Sequence, residues 1–261
     1  MAEPLLRVAG LTKVFGGLRA VGDLSFGVDR HEIVGLIGPN GAGKTTVFNL
    51  LTGLYRPTAG DMVFDGHSLA GLPPYRITAL GIARTFQNLR LFTSMSVLDN
   101  VLVGMHLSIA PRLVEALATA PAARTREEAA RARAAALIAE MGLPEPGAPV
   151  ASLPYGQQRL VELARALATS PRLLLLDEPS AGMNPNETDQ LVKIITQLRR
   201  EGLTILLIEH HMRMIMGTCD RIVVLNQGEK IAEGPPEAVQ RDARVIEAYL
   251  GEEEGSHAPD H

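Results

Sequence analysis

The stretch Gly38-Pro-Asn-Gly-Ala-Gly-Lys-Thr45 matches the phosphate-binding spacing G-x-x-x-x-G-K-[ST] at every fixed position. Before it, Ile33-Val-Gly-Leu-Ile37 is short and apolar, which is typical of a buried strand. After it, Thr45-Thr-Val-Phe-Asn-Leu-Leu51 has a helical pattern whose first turn begins at the lysine. Strand, glycine-rich loop and helix in this order predict a phosphate-binding loop, rather than a turn that only joins two elements.

The residue types of this loop suit an anion. Glycines allow the backbone to turn tightly, and amide N–H groups at a helix start point towards a negative charge. Lys44 adds a compact positive charge, and Thr45 offers a hydroxyl to Mg²⁺. The loop residues predicted to hold phosphates are Gly38, Pro39, Asn40, Gly41, Ala42, Gly43, Lys44 and Thr45.

Composition argues against several classes of function. The 261 residues carry a net charge of −4, with 25 Lys and Arg against 29 Asp and Glu, so no nucleic-acid partner is expected. Cys219 is the single cysteine, which rules out an intrachain disulfide and predicts a packed, inert thiol. No stretch reaches the ~18 apolar residues of a membrane span, so we expect a cytoplasmic protein that meets a membrane only through partners.

The N-terminal part of the chain predicts antiparallel strands. Leu5-Leu-Arg-Val-Ala9 and Leu24-Ser-Phe-Gly-Val28 alternate apolar and polar positions, with Phe15-Gly16-Gly17 as turn material between them. Asp61-Met-Val-Phe64 is flanked by glycines and a proline, which indicates a hairpin. We therefore expect an N-terminal antiparallel β subdomain.

The remainder alternates strand and helix patterns. Residues of about 93–165 are rich in Ala, Leu, Arg and Glu and predict an inserted helical subdomain. Further apolar strands are expected at residues 173–177, 204–208 and 221–225. The alternation predicts an α/β fold with a mainly parallel sheet. Residues 1–251 would form a single domain, and the acidic tail at 252–261 would be disordered.

Two acids and a histidine lie where parallel strands end. Asp177 and Glu178 follow four leucines, at the strand end where such sheets bind ligands. Asp177 can serve a magnesium nucleotide, and Glu178 can orient or deprotonate an attacking water. His210 follows the next strand and should lie at the same edge, where it can contact a phosphate.

The histidine segment has a second interpretation. His211 together with Met212, Met214 and Met216 offers imidazole and thioether groups, which suit copper. Methionines in an apolar helix more often pack in a core, and that interpretation is the preferred one.

These features together resemble the ATP-binding subunits of ABC transporters. The resemblance rests on the phosphate loop, on Gln87 in Arg-Thr-Phe-Gln-Asn, on the signature-like Leu153-Pro-Tyr-Gly-Gln157, and on the acids and histidine after their strands. Their order and spacing match over nearly the whole chain. Residues 84–92, 177–185 and 245–251 are similar to the branched-chain amino acid uptake group.

The resemblance implies a P-loop NTPase core that binds ATP with Mg²⁺. Phe15 would stack on adenine, and Thr46 would join the phosphate contacts. Gln87 would ligate the metal with Thr45 and Asp177, and would couple that site to a transmembrane partner. Glu178 would be the catalytic base and His210 the sensor of the γ-phosphate. The signature residues Tyr155, Gly156 and Gln157 would bind the γ-phosphate held by an opposite subunit, so catalysis would need a dimer.

Four residues depart from the family pattern. Pro154 stands where serine is usual, so backbone amides from Tyr155 onward would have to replace a hydroxyl contact. Ala181 replaces a usual serine and Asn184 a usual aspartate, which weakens the transfer of dimer contacts there. His211 replaces a common aspartate and leaves two candidate histidines for one role.

The resemblance implies an ATP-hydrolysing importer subunit at the cytoplasmic face of the cell membrane. Its partners would be transmembrane permease subunits, a second ATP-binding subunit in a homodimer or heterodimer, and indirectly a periplasmic or extracellular substrate-binding protein. A soluble ABC-type ATPase of DNA repair or ribosomes is the alternative, but those usually carry two cassettes or a long coiled coil. A P-loop GTPase is less favoured, because the sequence contains no Asn-Lys-x-Asp segment.

Overall fold

The computed structural model describes residues 3–106 and 120–255. Within these residues the strands are β1 (Leu6–Phe15), β2 (Leu18–Val28), β3 (Ile33–Ile37), β4 (Ala59–Phe64), β5 (His67–Ser68), β6 (Ile82–Arg84), β7 (Leu173–Asp177), β8 (Thr204–Ile208), β9 (Arg221–Asn226) and β10 (Glu229–Gly234). The α-helices are α1 (Lys44–Leu51), α2 (Pro74–Leu80), α3 (Val97–Gly104), α4 (Ala120–Glu140), α5 (Tyr155–Ala168), α6 (Pro185–Arg200), α7 (Met212–Thr218), α8 (Pro236–Val239) and α9 (Ala243–Gly255).

The N-terminal strands form an antiparallel sheet in the order β2-β1-β4-β5. In β1, Leu6 pairs with Val28 on one side and with Phe64 on the other. All three side chains are fully buried, so this register places the apolar face of the sheet in the core. The predicted antiparallel subdomain is confirmed, and its strands are longer than the sequence pattern indicates.

The second sheet has the order β10-β9-β3-β8-β7-β6. The strands from β9 to β6 pair in parallel, and only β10 is antiparallel to its neighbour. Every residue of β3, β7 and β8 is buried, because other elements cover both faces of the sheet. The prediction of a mainly parallel sheet is confirmed, and the carboxyl ends of β3, β7 and β8 lie at one edge.

Helices α3, α4 and α5 lie between β6 and β7 in the described part of the chain. Val101, Ile138 and Val161, one from each helix, are buried in a single apolar cluster that also contains Leu174 and Leu176 of β7. The helical segment thus packs on the sheet and holds the first turn of α5 at a fixed place.

The C-terminal helix extends into the predicted tail. Helix α9 continues to Gly255, whereas a disordered tail was expected from residue 252. Glutamate is a good helix former, so residues 252–254 extend the helix although they have no apolar face. Residues 256–261 lie outside the described part of the chain.

None of the described helices is long and apolar enough to cross a bilayer.

Candidate nucleotide site

The phosphate loop requires glycine at two of its positions. Gly38 has φ 150° and Gly43 has φ 100°, a backbone region that other residues rarely adopt. A Cβ at Gly38 would lie 2.0 Å from the carbonyl oxygen of Leu225, and one at Gly43 would lie 2.4 Å from that of Ala20. Both contacts are with backbone atoms, so any larger residue would displace the loop from the sheet.

The start of α1 presents positive charge to the inside of the loop. Lys44 Nζ donates hydrogen bonds to the carbonyl oxygens of Gly38 at 2.6 Å and Pro39 at 2.7 Å. Gly43 precedes the helix and has no side chain with which to cap its first amides. Uncapped N–H groups and an ammonium at one helix start form a site for an anion such as a phosphate.

Gln87, Glu178 and His210 meet at the carboxyl edge of the parallel sheet. Gln87 Nε2 donates a hydrogen bond of 2.8 Å to Glu178 Oε2. His210 Nδ1 lies 3.9 Å from the same oxygen. Because Asp177 pairs with Ile208 across β7 and β8, the residues that follow these two strands lie side by side.

Glu178 has an unusual backbone. Its φ is 48°, which is uncommon for a residue with a side chain, and its N–H donates to Ile208 O at 2.9 Å. Such strained positions cluster at functional sites, where surrounding structure maintains them.

Asp177 is buried and paired with Arg84. Arg84 Nη2 donates to Asp177 Oδ2 at 2.7 Å, and the two side chains are only 6% and 3% exposed. Burial raises the pKa of the Asp177 carboxyl, and the hydrogen bond from Arg84 opposes this rise. The other oxygen, Oδ1, accepts no hydrogen bond from the described part of the chain.

This donor set fits Mg²⁺. The uncommitted Asp177 Oδ1, the exposed hydroxyl of Thr45 and the amide oxygen of Gln87 are all oxygen ligands, which Mg²⁺ prefers. Gln87 uses only its Nε2 in the bond to Glu178, so its oxygen stays available for that role.

The signature-like residues begin helix α5. Pro154 precedes the helix and offers no side-chain cap, so the first amides of α5 are left to other partners. A Cβ at Gly156 would lie 2.5 Å from the carboxylate of Glu187, which shows how closely α6 approaches this turn.

Two departures from the family pattern have structural explanations. Asn184 begins α6 with a capping box, in which its Oδ1 accepts from Glu187 N at 3.0 Å and Glu187 Oε2 accepts from Asn184 N at 2.9 Å. His211 Nδ1 lies 2.7 Å from Ser180 Oγ and 3.1 Å from Glu209 Oε1. His211 is thus engaged in an internal contact, and His210 is the histidine beside Glu178. Nothing in the structure explains Ala181.

Phe15 is exposed at the end of β1. Its ring meets Tyr55 edge to face at 5.1 Å between centroids, and Lys13 Nζ lies 4.7 Å from its centroid. Phe15 is therefore not a core residue, which leaves its ring available for the predicted stacking on adenine.

Comparison with known proteins identifies this arrangement. The family model described as "ABC transporter" matches residues 21–181, and that described as "Branched-chain amino acid ATP-binding cassette transporter" matches residues 229–255. The chain belongs to the ABC transporter family of ATP-binding cassettes. It is 48% identical to the high-affinity branched-chain amino acid transport ATP-binding protein BraF of Pseudomonas aeruginosa, over 97% of this chain and 100% of that protein.

Solved structures support the same assignment. The cassette is similar to the ADP conformation of an ATP-binding cassette of an ABC transporter, with a TM-score of 0.83, 30% identity and coverage of 96% and 100% of the two chains. It is also similar to a dimeric bacterial ABC transporter cassette, with a TM-score of 0.74, 25% identity and coverage of 88% and 98%. The predicted ABC ATPase fold is confirmed, and the cassette is an ATP-binding protein and an ATPase by family.

The structure adds a buried pair in α5 that the sequence did not reveal. Arg159 Nη1 donates to Phe86 O at 2.7 Å and to Glu162 Oε2 at 3.4 Å, and Arg159 Nη2 donates to Gln87 O. Glu162 Oε1 accepts from Phe86 N at 3.3 Å. Burial raises the pKa of the Glu162 carboxyl, and Arg159 opposes the rise. The cassette thus fixes the backbone of Gln87 through the helix that begins with the signature.

Glu209 is a second residue of the site that the sequence did not single out. Its side chain is fully buried and accepts hydrogen bonds from the amides of His210 and His211 at 3.0 and 3.2 Å and from Ser180 Oγ at 2.8 Å. Glu209 therefore shapes the turn that carries both histidines. The sequence feature that could have identified Glu209 is a charged residue directly after an apolar strand.

The copper interpretation has little support in this arrangement. Among the described residues, one cluster of three metal-ligating side chains occurs, Glu209, His210 and His211, with ligand atoms within 4.8 Å. Glu209 is already engaged as described, and Met214 is buried in the hydrophobic core. Cys219 is buried as well, so the prediction of a packed cysteine is confirmed, and burial raises the pKa of its thiol to about 12.

Proposed function

We propose that the cassette couples ATP hydrolysis to the uptake of branched-chain or related amino acids. The observation that carries the proposal is the convergence of Gln87, Glu178 and His210 at the sheet edge that follows β7 and β8. The relative named above is a branched-chain amino acid transport protein, and the C-terminal family model carries the same description. These descriptions favour transport over the alternative of a soluble ATPase acting in DNA repair or on ribosomes.

The phosphates of ATP bind in the loop of residues 38–45, and Phe15 stacks on the adenine. Lys44 and the uncapped amides of α1 hold the β- and γ-phosphates, a role supported by their position at the helix start. Thr45, Gln87 and Asp177 hold Mg²⁺, and Thr46 adds a contact to the phosphates. When bound, the metal neutralises charge that develops on the phosphates.

Glu178 acts as the general base towards the attacking water. Its carboxylate is only partly buried, and the hydrogen bond from Gln87 fixes its orientation. His210, next to the same carboxylate oxygen, contacts the γ-phosphate. The positive φ of Glu178 supports this role, because a strained backbone aims the side chain at the sheet edge.

Hydrolysis requires a second cassette. The amides of Tyr155, Gly156 and Gln157 begin α5 without a side-chain cap, and they bind the γ-phosphate held by the opposite subunit. The similarity to a dimeric cassette supports this arrangement. The second subunit is either another copy of this chain or a related ATP-binding subunit.

The cassette acts at the cytoplasmic face of the membrane through permease subunits. These partners form the pathway, and none of the described helices of the cassette is long and apolar enough to cross a bilayer. A periplasmic or extracellular binding protein delivers the amino acid to those permease subunits.

The test is uptake of radiolabelled leucine, isoleucine and valine by cells from which the chromosomal copy has been deleted. The intact gene should restore uptake, Glu178→Gln should not, and Glu201→Gln, an exposed change in the turn after α6, should behave as the intact gene. In the purified transporter, Glu178→Gln should lower ATP turnover by roughly 10²–10⁴ and leave ATP binding intact. Unchanged uptake in the deletion strain would contradict the transport assignment, and near-normal turnover in the variant would contradict the role of Glu178.

A further inference from the structure

Arg84 makes more directed contacts than its place in a short strand requires. Its Nη2 donates to Asp177 Oδ2 at 2.7 Å, whereas its Nη1 donates to Asn49 Oδ1 at 2.7 Å and to Thr52 Oγ1 at 3.3 Å. One guanidinium thus joins the end of β6, the end of β7 and helix α1. Its side chain is 6% exposed, so these bonds form away from water.

Two aromatic rings restrict the guanidinium further. Its central carbon lies 5.4 Å from the ring centroid of Phe48 and 4.9 Å from that of Phe86. A planar cation between aromatic faces keeps a defined plane. The direction of both hydrogen-bonding edges is therefore set by packing as well as by the bonds themselves.

We propose that Arg84 is a positioning residue that fixes the metal-binding carboxylate of Asp177 relative to the phosphate-loop helix. The inference rests on the proposed function, in which Asp177 and Thr45 serve the same Mg²⁺. Arg84 binds Oδ2 alone, so Oδ1 is the oxygen presented to the metal. Through Asn49 it also holds α1, whose first turn carries Thr45, and so sets the separation of the two ligands.

The geometry explains why arginine is needed rather than lysine. The two bonds of equal length leave from different nitrogens of one rigid plane and reach two different elements. A lysine could keep the charge beside Asp177, but its single ammonium cannot hold both directions at once. Residues that orient a metal ligand from behind typically contribute 10- to 100-fold to metal affinity.

Metal binding in the purified transporter tests the proposal. Mn²⁺ bound together with ATP is measured by electron paramagnetic resonance, and ATP binding without metal is measured by fluorescence of a labelled nucleotide. For Arg84→Met we expect Mn²⁺ affinity to fall by about 10- to 100-fold while metal-free nucleotide binding stays unchanged. Arg84→Lys should give a smaller loss of Mn²⁺ affinity, because the charge remains and the bridge to α1 is lost.

Arg172→Met is the matched control. Arg172 precedes β7, at the opposite end of the strand from Asp177, and it binds the carboxylate of Asp65 and lies over the ring of Phe64. The same substitution there removes an arginine–aspartate pair at the other end of β7 without touching the site. Its Mn²⁺ affinity should equal that of the unmodified protein.

If Arg84→Met does not fold, Asn49→Leu is the test variant in its place. Asn49→Leu removes the hydrogen bond from Arg84 to α1 and leaves the pair of Arg84 with Asp177 in place. Mn²⁺ affinity within about twofold of the unmodified protein in Arg84→Lys and in Asn49→Leu would overturn the proposal. Asp177→Asn distinguishes the positioning role of Arg84 from the metal-binding role of Asp177. If that variant also binds Mn²⁺ normally, the metal role of Asp177 fails, whereas a loss confined to Asp177→Asn refutes only the role of Arg84.

Discussion

Replacing Arg159 by methionine tests two roles of this residue. One is to stabilise the packing of α5, and the other is to position the backbone of Gln87. Arg159 donates to two backbone oxygens, of Phe86 and Gln87, and pairs with Glu162, and both side chains are at most 4% exposed. Methionine can fill the space but cannot make these bonds. The Glu162 carboxylate would then be buried without the guanidinium of Arg159.

The expected magnitude follows from those contacts. Two hydrogen bonds from a charged donor contribute about 1.5–3 kcal/mol each, so their loss costs about 3–6 kcal/mol. Breaking one partner of a buried ion pair costs about 3–5 kcal/mol, which agrees with that range. We expect Arg159→Met to lower the free energy of unfolding by about 3–5 kcal/mol, measured by urea denaturation.

The double variant Arg159→Met with Glu162→Met is the decisive comparison. Removing both charges should restore the part of the lost stability that comes from leaving the Glu162 carboxylate buried beside no guanidinium of Arg159, whereas the backbone oxygens of Phe86 and Gln87 stay without their donor. In both variants ATP turnover should be lower than in the unmodified protein, by up to about 10²-fold. The backbone of Gln87 is no longer held in either variant, and displacement of a catalytic group slows the reaction. Normal turnover in the stable double variant would refute the view that the pair positions Gln87.

The remaining predictions concern buried titratable groups. Burial raises the pKa of Glu162 in the folded chain above its ordinary value of 4.5, so its ionisation makes the fold less stable as the pH rises from 4.5 through the raised pKa. Glu162→Gln should therefore flatten the stability profile in that window, as measured by urea denaturation at a series of pH values, and an unchanged profile would contradict the assignment. Cys219, with a pKa raised to about 12, should resist iodoacetamide at pH ~8 in the folded protein and react in urea, as mass spectrometry can follow. Rapid alkylation of the folded chain would show that the thiol is accessible.

The local sequence pattern was sufficient to predict the strands, loop and helix that carry the site residues. The loop before Lys44 could be predicted because its glycines and its flanking strand and helix are contiguous in sequence. Asp177, Glu178 and His210 could be placed at one edge because the strands before them are uniformly apolar and parallel strands end together. The site roles of these residues stay predictions until the variants described above are measured.

Sequence alone determined the α/β architecture, the phosphate loop and the sheet edge, since each depends on contiguous patterns of apolar residues, glycines and strand order. Tertiary structure decided how these parts are held. Arg84 and Asp177 are separated by 93 residues, Arg159 and Phe86 by 73, and Ser180 and Glu209 by 29. A charged residue in a sequence looks the same whether it will be solvated or buried, and only folding brings together the partners that make its burial stable.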